Sequence, residues 1–159
     1  MKNTYALITG ASSGIGLEIA YKLAEKGYGI ILTARREDRL ITYTNEIKDK
    51  FGVNVDFVTG DLAMPETPQN IYNFCKDKNY SVEVLVNNAG YGIPSQFHKT
   101  SMEDEEKSIR VLSTSVIALS KAFIPDMLEN KSGKIMIISS VASFTPPSTI
   151  QVLYGPLKT

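Results

Sequence analysis

Apolar residues in this chain fall into short unbroken runs, separated by stretches with helical spacing. Tyr5-Ala6-Leu7-Ile8-Thr9 is the first run and predicts a buried strand. A helix over Ile15 to Lys26 follows, with Ile15, Ile19 and Leu23 on one face and Gly27 placed to end it. Tyr28 to Ala34 reads as a second strand, wholly apolar through Ile30-Ile31-Leu32, as a strand covered on both faces would be. Glu37 to Lys50 predicts a second helix with Leu40, Thr44, Ile47 and Phe51 on one side. Val53 to Val58 alternates as a third strand. Glu66 to Lys78 predicts a third helix with Ile71, Phe74 and Cys75 inward, and Val82 to Val86 a fourth strand.

Thr100-Ser101-Met102-Glu103 has the form of a capping box and opens a long helix over 100–130. Its core stripe reads Ile109, Leu112, Val116, Leu119, Phe123 and Met127. A second face carries the small residues Ser115, Ala118 and Ala122, which would let another helix approach closely. Pro125 is expected to kink or end this helix. Ile135 to Ile138 is the last strand. Strand alternating with helix implies parallel strands joined by crossover helices on both faces: an α/β, three-layer, doubly wound sheet.

The length of 159 residues fits one domain, 1–159, able to bury a real core. Seventeen Lys and Arg balance seventeen Asp and Glu, so nothing points to nucleic acid or an anionic membrane surface. The single Cys75 allows no internal disulfide and suits a reducing, cytoplasmic setting. It reads as a small core residue rather than a nucleophile. The first strand follows Met1 so closely that no leader is expected, and no run approaches the ~18 unbroken apolar residues of a membrane span. There is no cluster with metal-ligand spacing, and the lone His98 is expected to be an exposed loop residue.

The candidate chemistry sits at the strand ends. Gly10 permits a tight exit from the first strand, Gly14 lets backbone N–H groups approach a ligand, and Gly16 lets the new helix pack closely. The first N–H groups of that helix lack internal partners and lie at its positive end, which suits a pyrophosphate; Ser12 and Ser13 add hydroxyls. The alternative is an ordinary strand-to-helix turn. Dinucleotide folds carry an acidic residue at the end of the second strand for a ribose 2′-OH. Here Arg35 and Arg36 stand instead, and guanidinium suits the 2′-phosphate of NADP(H). The alternative there is a solvated helix start paired with Glu37 and Asp38. Two amides, Asn87-Asn88, end the fourth strand where open α/β sheets bind ligands.

Thr9-Gly10-Ala11-Ser12-Ser13-Gly14-Ile15-Gly16 and Asn87-Asn88-Ala89-Gly90, in that order, resemble the two cofactor motifs of the short-chain dehydrogenases/reductases. The resemblance implies a Rossmann-type sheet in the order 3-2-1-4-5. It places Gly10, Ser12, Ser13, Gly14, Ile15 and Gly16 on the cofactor phosphates. It also implies that Asp61 and Leu62 contact adenine, for which a loop-fixing Asp is the equal alternative on spacing. Asn88, Ala89 and Gly90 would line the cofactor cleft and tie neighbouring strands together. Within the same family Tyr154 and Lys158, four apart and so on one helix face, resemble the catalytic pair. Ser140 is the third member and Ser139 its runner-up. The resemblance also implies a homo-oligomer formed through the long helix 100–130.

A free phenol is too weakly acidic to act as a base at neutral pH, and a nearby ammonium favours its ionised form. Tyr154 would then exchange a proton with the substrate oxygen, Lys158 would also hold the nicotinamide ribose, and Ser140 would support the charge developing on that oxygen. Three departures stand out. Leu112 occupies the place of an Asn that holds a relay water. Pro156 lies between Tyr154 and Lys158, and is expected to be tolerated in an early turn. The chain stops at Thr159, after about two thirds of a family member, leaving the fifth strand as an apolar edge. The reading is an NADP(H)-dependent oxidoreductase, with NAD(H) as the other cofactor, acting on a small carbonyl or alcohol. Its alternatives are a non-catalytic dinucleotide-binding or structural piece and, more remotely, a nucleotide-dependent epimerase.

Overall fold

The computed structural model describes residues 4–146 and 150–159. Five strands form one parallel sheet: β1 (Thr4–Thr9), β2 (Gly29–Ala34), β3 (Val55–Thr59), β4 (Ser81–Asn87) and β5 (Lys134–Ile137), in the order β3-β2-β1-β4-β5. The crossovers are α1 (Gly14–Glu25), α2 (Glu37–Phe51), α3 (Thr67–Asp77) and a long composite helix. The expected topology is the observed one.

The pleat explains the layers. Tyr5 and Leu7 of β1, Ile31 of β2 and Leu85 of β4 face one side. There they meet Ile71 and Cys75 of α3 and Leu119, Phe123 and Met127 of the long helix. Ala6, Ile8, Ile30, Leu32, Val84 and Val86 face the other side, against Ala20 and Ala24 of α1 and Leu40 and Ile47 of α2. Leu7, Ile31 and Leu85 are fully buried, each stabilising the fold by about 1.5–3 kcal/mol relative to exposure. Cys75 is part of this core, and burial, with the Asp56 charge, pushes its thiol up to about 12.

Two apolar stripes differ from expectation. On α1 the buried residues are Gly16, Leu17, Ala20 and Ala24, while Ile15 is 62% exposed. Close approach of α1 to the β1 turn needs small side chains, and that outweighs the hydrophobicity of Ile15. The long helix consists of α4 (Met102–Ile109), a π-turn at Arg110–Thr114 and α5 (Ser115–Glu129). The wide π-turn shifts the helical register. The inward positions become Glu105, Ser108, Val111, Leu112, Ser115, Leu119, Phe123 and Met127, and Ile109 turns outward.

The cap lies one residue later than the box suggested. Ser101 Oγ accepts from the Asp104 N–H at 3.1 Å. Pro125 does not end α5. It lies on the exposed face with Lys121, to whose carbonyl it cannot donate. Met102–Glu129 is long and apolar enough by length and composition to cross a membrane. One face of it, with Leu119, Phe123 and Met127, is part of the core. The edge strand β5 is exposed along its length, with Ile137 59% exposed.

Candidate active site

β1 delivers the chain to Gly10 at φ +66°, where a Cβ would lie 2.8 Å from Ala89 Cα. Only glycine satisfies both the backbone angle and that approach. Gly16 is the second contact point: a Cβ there would meet the Asn88 amide and lie 2.7 Å from the Gly10 carbonyl oxygen. It seats the start of α1 on the turn. Gly14 serves differently, since nothing lies within 4 Å of its Cβ position and its φ of +58° is the requirement.

The carboxyl ends of β1, β2, β3 and β4 converge on a cavity of about 200 Å³. Gly10, Ser12 and Ser13 line it from β1, and Ala34, Arg35 and Arg36 from β2. Gly60, Asp61 and Leu62 follow β3; Ala89, Gly90 and Tyr91 follow β4. Arg36 Nη2 donates to Ser12 Oγ at 3.0 Å and Ser13 Oγ at 3.1 Å, so a guanidinium and two hydroxyls form one polar wall of the cavity. Asp61 both lines the cavity and fixes its loop: its Oδ1 accepts from the Ala63 N–H at 3.0 Å.

Gly14, Ile15, Gly16 and Asn88 are not among the lining residues. Asn88 instead ties strands: its Nδ2 donates to the Thr9 carbonyl at 2.9 Å. Thr9 was not singled out by sequence, yet its Oγ1 accepts from the Asn88 and Ala89 N–H groups and donates to the Val86 carbonyl. The signal was a hydroxyl at the end of an apolar run. Tyr91 and Val111, also missed, line the cavity. Burial pushes the Tyr91 phenol above its ordinary range, partly offset by the nearby Arg35 charge.

The candidate catalytic residues lie beyond β5. α6 (Tyr154–Leu157) is a single turn with Pro156 inside it, and the Lys158 N–H donates to the Tyr154 carbonyl at 3.1 Å. The helix starts at Tyr154, so Pro156 falls in its first turn, as expected. Lys158 Nζ donates to the Ile138 carbonyl at 2.7 Å and lies 3.1 Å from the Cβ position of Gly90, at the rim of the glycine cavity. Burial holds the Lys158 ammonium below the usual lysine range.

Ser139 Oγ donates to the Lys158 carbonyl at 2.6 Å, and Ser140 Oγ accepts from the Ala142 N–H at 3.2 Å. Tyr154 lines a cavity of about 390 Å³ with Ser143, Gln151 and Pro156, and a much smaller one beside α4. Neither is the glycine cavity. Lys158 beside Gly90 is where the two regions meet. Leu112, buried, packs on Gly90, its Cδ2 lying 2.8 Å from that residue's Cβ position. His98 is exposed in a short turn at Phe97–Lys99.

A parallel sheet with a glycine turn at the central strand and a cavity across four strand ends defines a dinucleotide-binding type of α/β protein. A family model described as short chain dehydrogenase matches residues 4–158, and the chain belongs to that family. It is 34% identical over 159 residues to a probable NADP-dependent dehydrogenase of Haemophilus influenzae, covering 99% of this chain and 61% of that protein. It is 30% identical over 158 residues to a very-long-chain 3-oxoacyl-CoA reductase of Phaeosphaeria nodorum, covering 97% of this chain and 46% of the relative. Among solved structures, a short-chain dehydrogenase from Sphingobium yanoikuyae in complex with NADPH superposes with a TM-score of 0.89 at 32% identity, over 98% of this chain and 59% of that one. L-sorbose reductase from Gluconobacter frateurii, complexed with NADPH and L-sorbose, gives 0.90 at 31% identity, over 99% and 61%. The chain thus spans about half to two thirds of the length of these relatives.

Proposed function

We propose that this protein is an NADP(H)-dependent oxidoreductase that moves hydride between the nicotinamide and a small carbonyl or alcohol. The observation that carries the reading is the Arg36 guanidinium bonded to Ser12 and Ser13 across the glycine cavity. A cation there matches a ribose 2′-phosphate, and the amino end of α1 matches the pyrophosphate. Arg35 adds a second positive group. Asp61 and Leu62 take the adenine end, and Ala89 and Gly90 border the ribose beside Lys158. The bound nicotinamide supplies the hydride chemistry. Tyr154 exchanges a proton with the substrate oxygen, Ser140 orients that oxygen, and Lys158 holds the ribose.

A non-catalytic dinucleotide-binding role is the second reading. It is favoured by Tyr154 lining cavities other than the glycine cavity and by Leu112 on Gly90. Titration of the protein with NADPH and with NADH, followed by cofactor fluorescence, tests the shared part of both readings. Tight NADPH binding with weaker NADH binding is expected; no binding of either overturns both. Self-association through the long helix is part of the proposal. Met64, Pro65 and Pro68 face Ile109 and Ala118 across an apolar groove of about 350 Å³.

A further inference from the structure

Glu105 is a carboxylate only 8% exposed, on the inward face of α4. Thr100 Oγ1, at the start of the helix, donates to its Oε1. Ser108, 4% exposed, follows at i+3 on the same side. Both line a small cavity with Tyr154, Ser95 and Gln151, closed by apolar side chains that include Ile93 and Phe97. Its volume of about 10 Å³ is about the room that one water needs. Burying a carboxylate is costly unless polar partners receive it, so a hydrophobic side chain would serve packing better at this position.

We infer that Glu105 is the proton-positioning residue for Tyr154, working through Ser108 and one water in the cavity they share. The inference rests on the oxidoreductase reading. In the reducing direction the substrate oxygen takes the phenolic proton, leaving Tyr154 as phenolate; the electron pair arrives with the hydride of the reduced nicotinamide. The Glu105 carboxylate takes a proton from solvent on its Thr100 side and passes it through the Ser108 hydroxyl or the water to the phenolate, which restores the phenol and leaves Glu105 a carboxylate again. Nothing else is consumed, and oxidation runs the same path backwards.

The test follows exchange of the Tyr154 hydroxyl proton with solvent on cofactor-free protein. The deuterium isotope shift of the tyrosine Cζ carbon in mixed light and heavy water reads it, with Tyr154→Phe assigning the signal. Glu105→Gln and Ser108→Ala should each slow that exchange about tenfold, and Glu105→Asp should largely restore it. In turnover of NADPH with an aldehyde, Glu105→Gln should lower kcat about ten- to a hundredfold, the low end for positioned proton transfer. KM and NADPH affinity should stay unchanged and the solvent isotope effect should rise. Unchanged exchange in both Glu105→Gln and Ser108→Ala overturns the inference. Slowed exchange in a protein that turns over no substrate upholds the proton path and overturns the oxidoreductase reading instead.

Discussion

Thr9 and Asn88 lock the ends of β1 and β4 together in both directions. The Thr9 hydroxyl accepts from the Asn88 N–H at 2.9 Å, while the Asn88 amide donates back to the Thr9 carbonyl at 2.9 Å. Thr9 is 1% exposed, and losing its hydroxyl removes the acceptor of the part-buried Asn88 and Ala89 N–H groups. Thr9→Val should therefore cost about 1–3 kcal/mol, the penalty for donors left without an acceptor. Urea unfolding should show a lower midpoint at an unchanged slope.

The two glycines at the start of α1 should respond differently to the same change. Gly14→Ala meets open space and costs only the left-handed backbone penalty, about 1–2 kcal/mol. Gly16→Ala drives a methyl into the Asn88 amide and the Gly10 carbonyl, shifting the turn itself. NADPH titration should show near-normal affinity for the first and at least a tenfold loss for the second.

Arg36 should set cofactor preference. Removing one charge-assisted bond to a phosphate costs about 1.5–3 kcal/mol. Arg36→Ala should thus weaken NADPH binding by at least about tenfold and leave NADH binding nearly unchanged. Equal losses for the two cofactors would place Arg36 outside the 2′-phosphate contact.

Acid stability should depend on Asp56. Burial pushes its carboxyl up, but donation from Lys78 Nζ at 2.6 Å, the Phe57 N–H at 2.8 Å and the Tyr80 hydroxyl at 2.9 Å outweighs that and holds it below the usual range. A carboxyl lowered on folding stabilises above its unfolded value, near ~3.9, and that contribution is lost as pH falls through the folded value. Asp56→Asn should cost about 1 kcal/mol at pH 7 for this part-exposed cluster. It should also show a smaller further loss on acidification than the unaltered protein in urea unfolding.

The sheet order and both glycine-turn contacts were legible because apolar runs mark buried parallel strands and because Gly10 and Gly16 each answer a local steric demand. Ile15 and Ile109 misled for a common reason. Hydrophobic spacing assumes a regular helix at ordinary distance, whereas α1 approaches closely through small residues and the π-turn shifts the register after Ile109. Thr9, Tyr91 and Val111 were passed over because their roles arise where separate strand ends and the long helix converge. Glu105 was invisible in the sequence among Glu103, Asp104 and Glu106, since only the fold turns one of these acidic side chains inward.

The most direct measurement follows NADPH oxidation with a panel of aldehydes and ketones, comparing the protein with Tyr154→Phe. The account expects NADPH consumption by the protein and a rate at least about a hundredfold lower in Tyr154→Phe, with NADPH affinity retained in both. Equal rates in the two proteins, or no consumption by either despite tight NADPH binding, would contradict it.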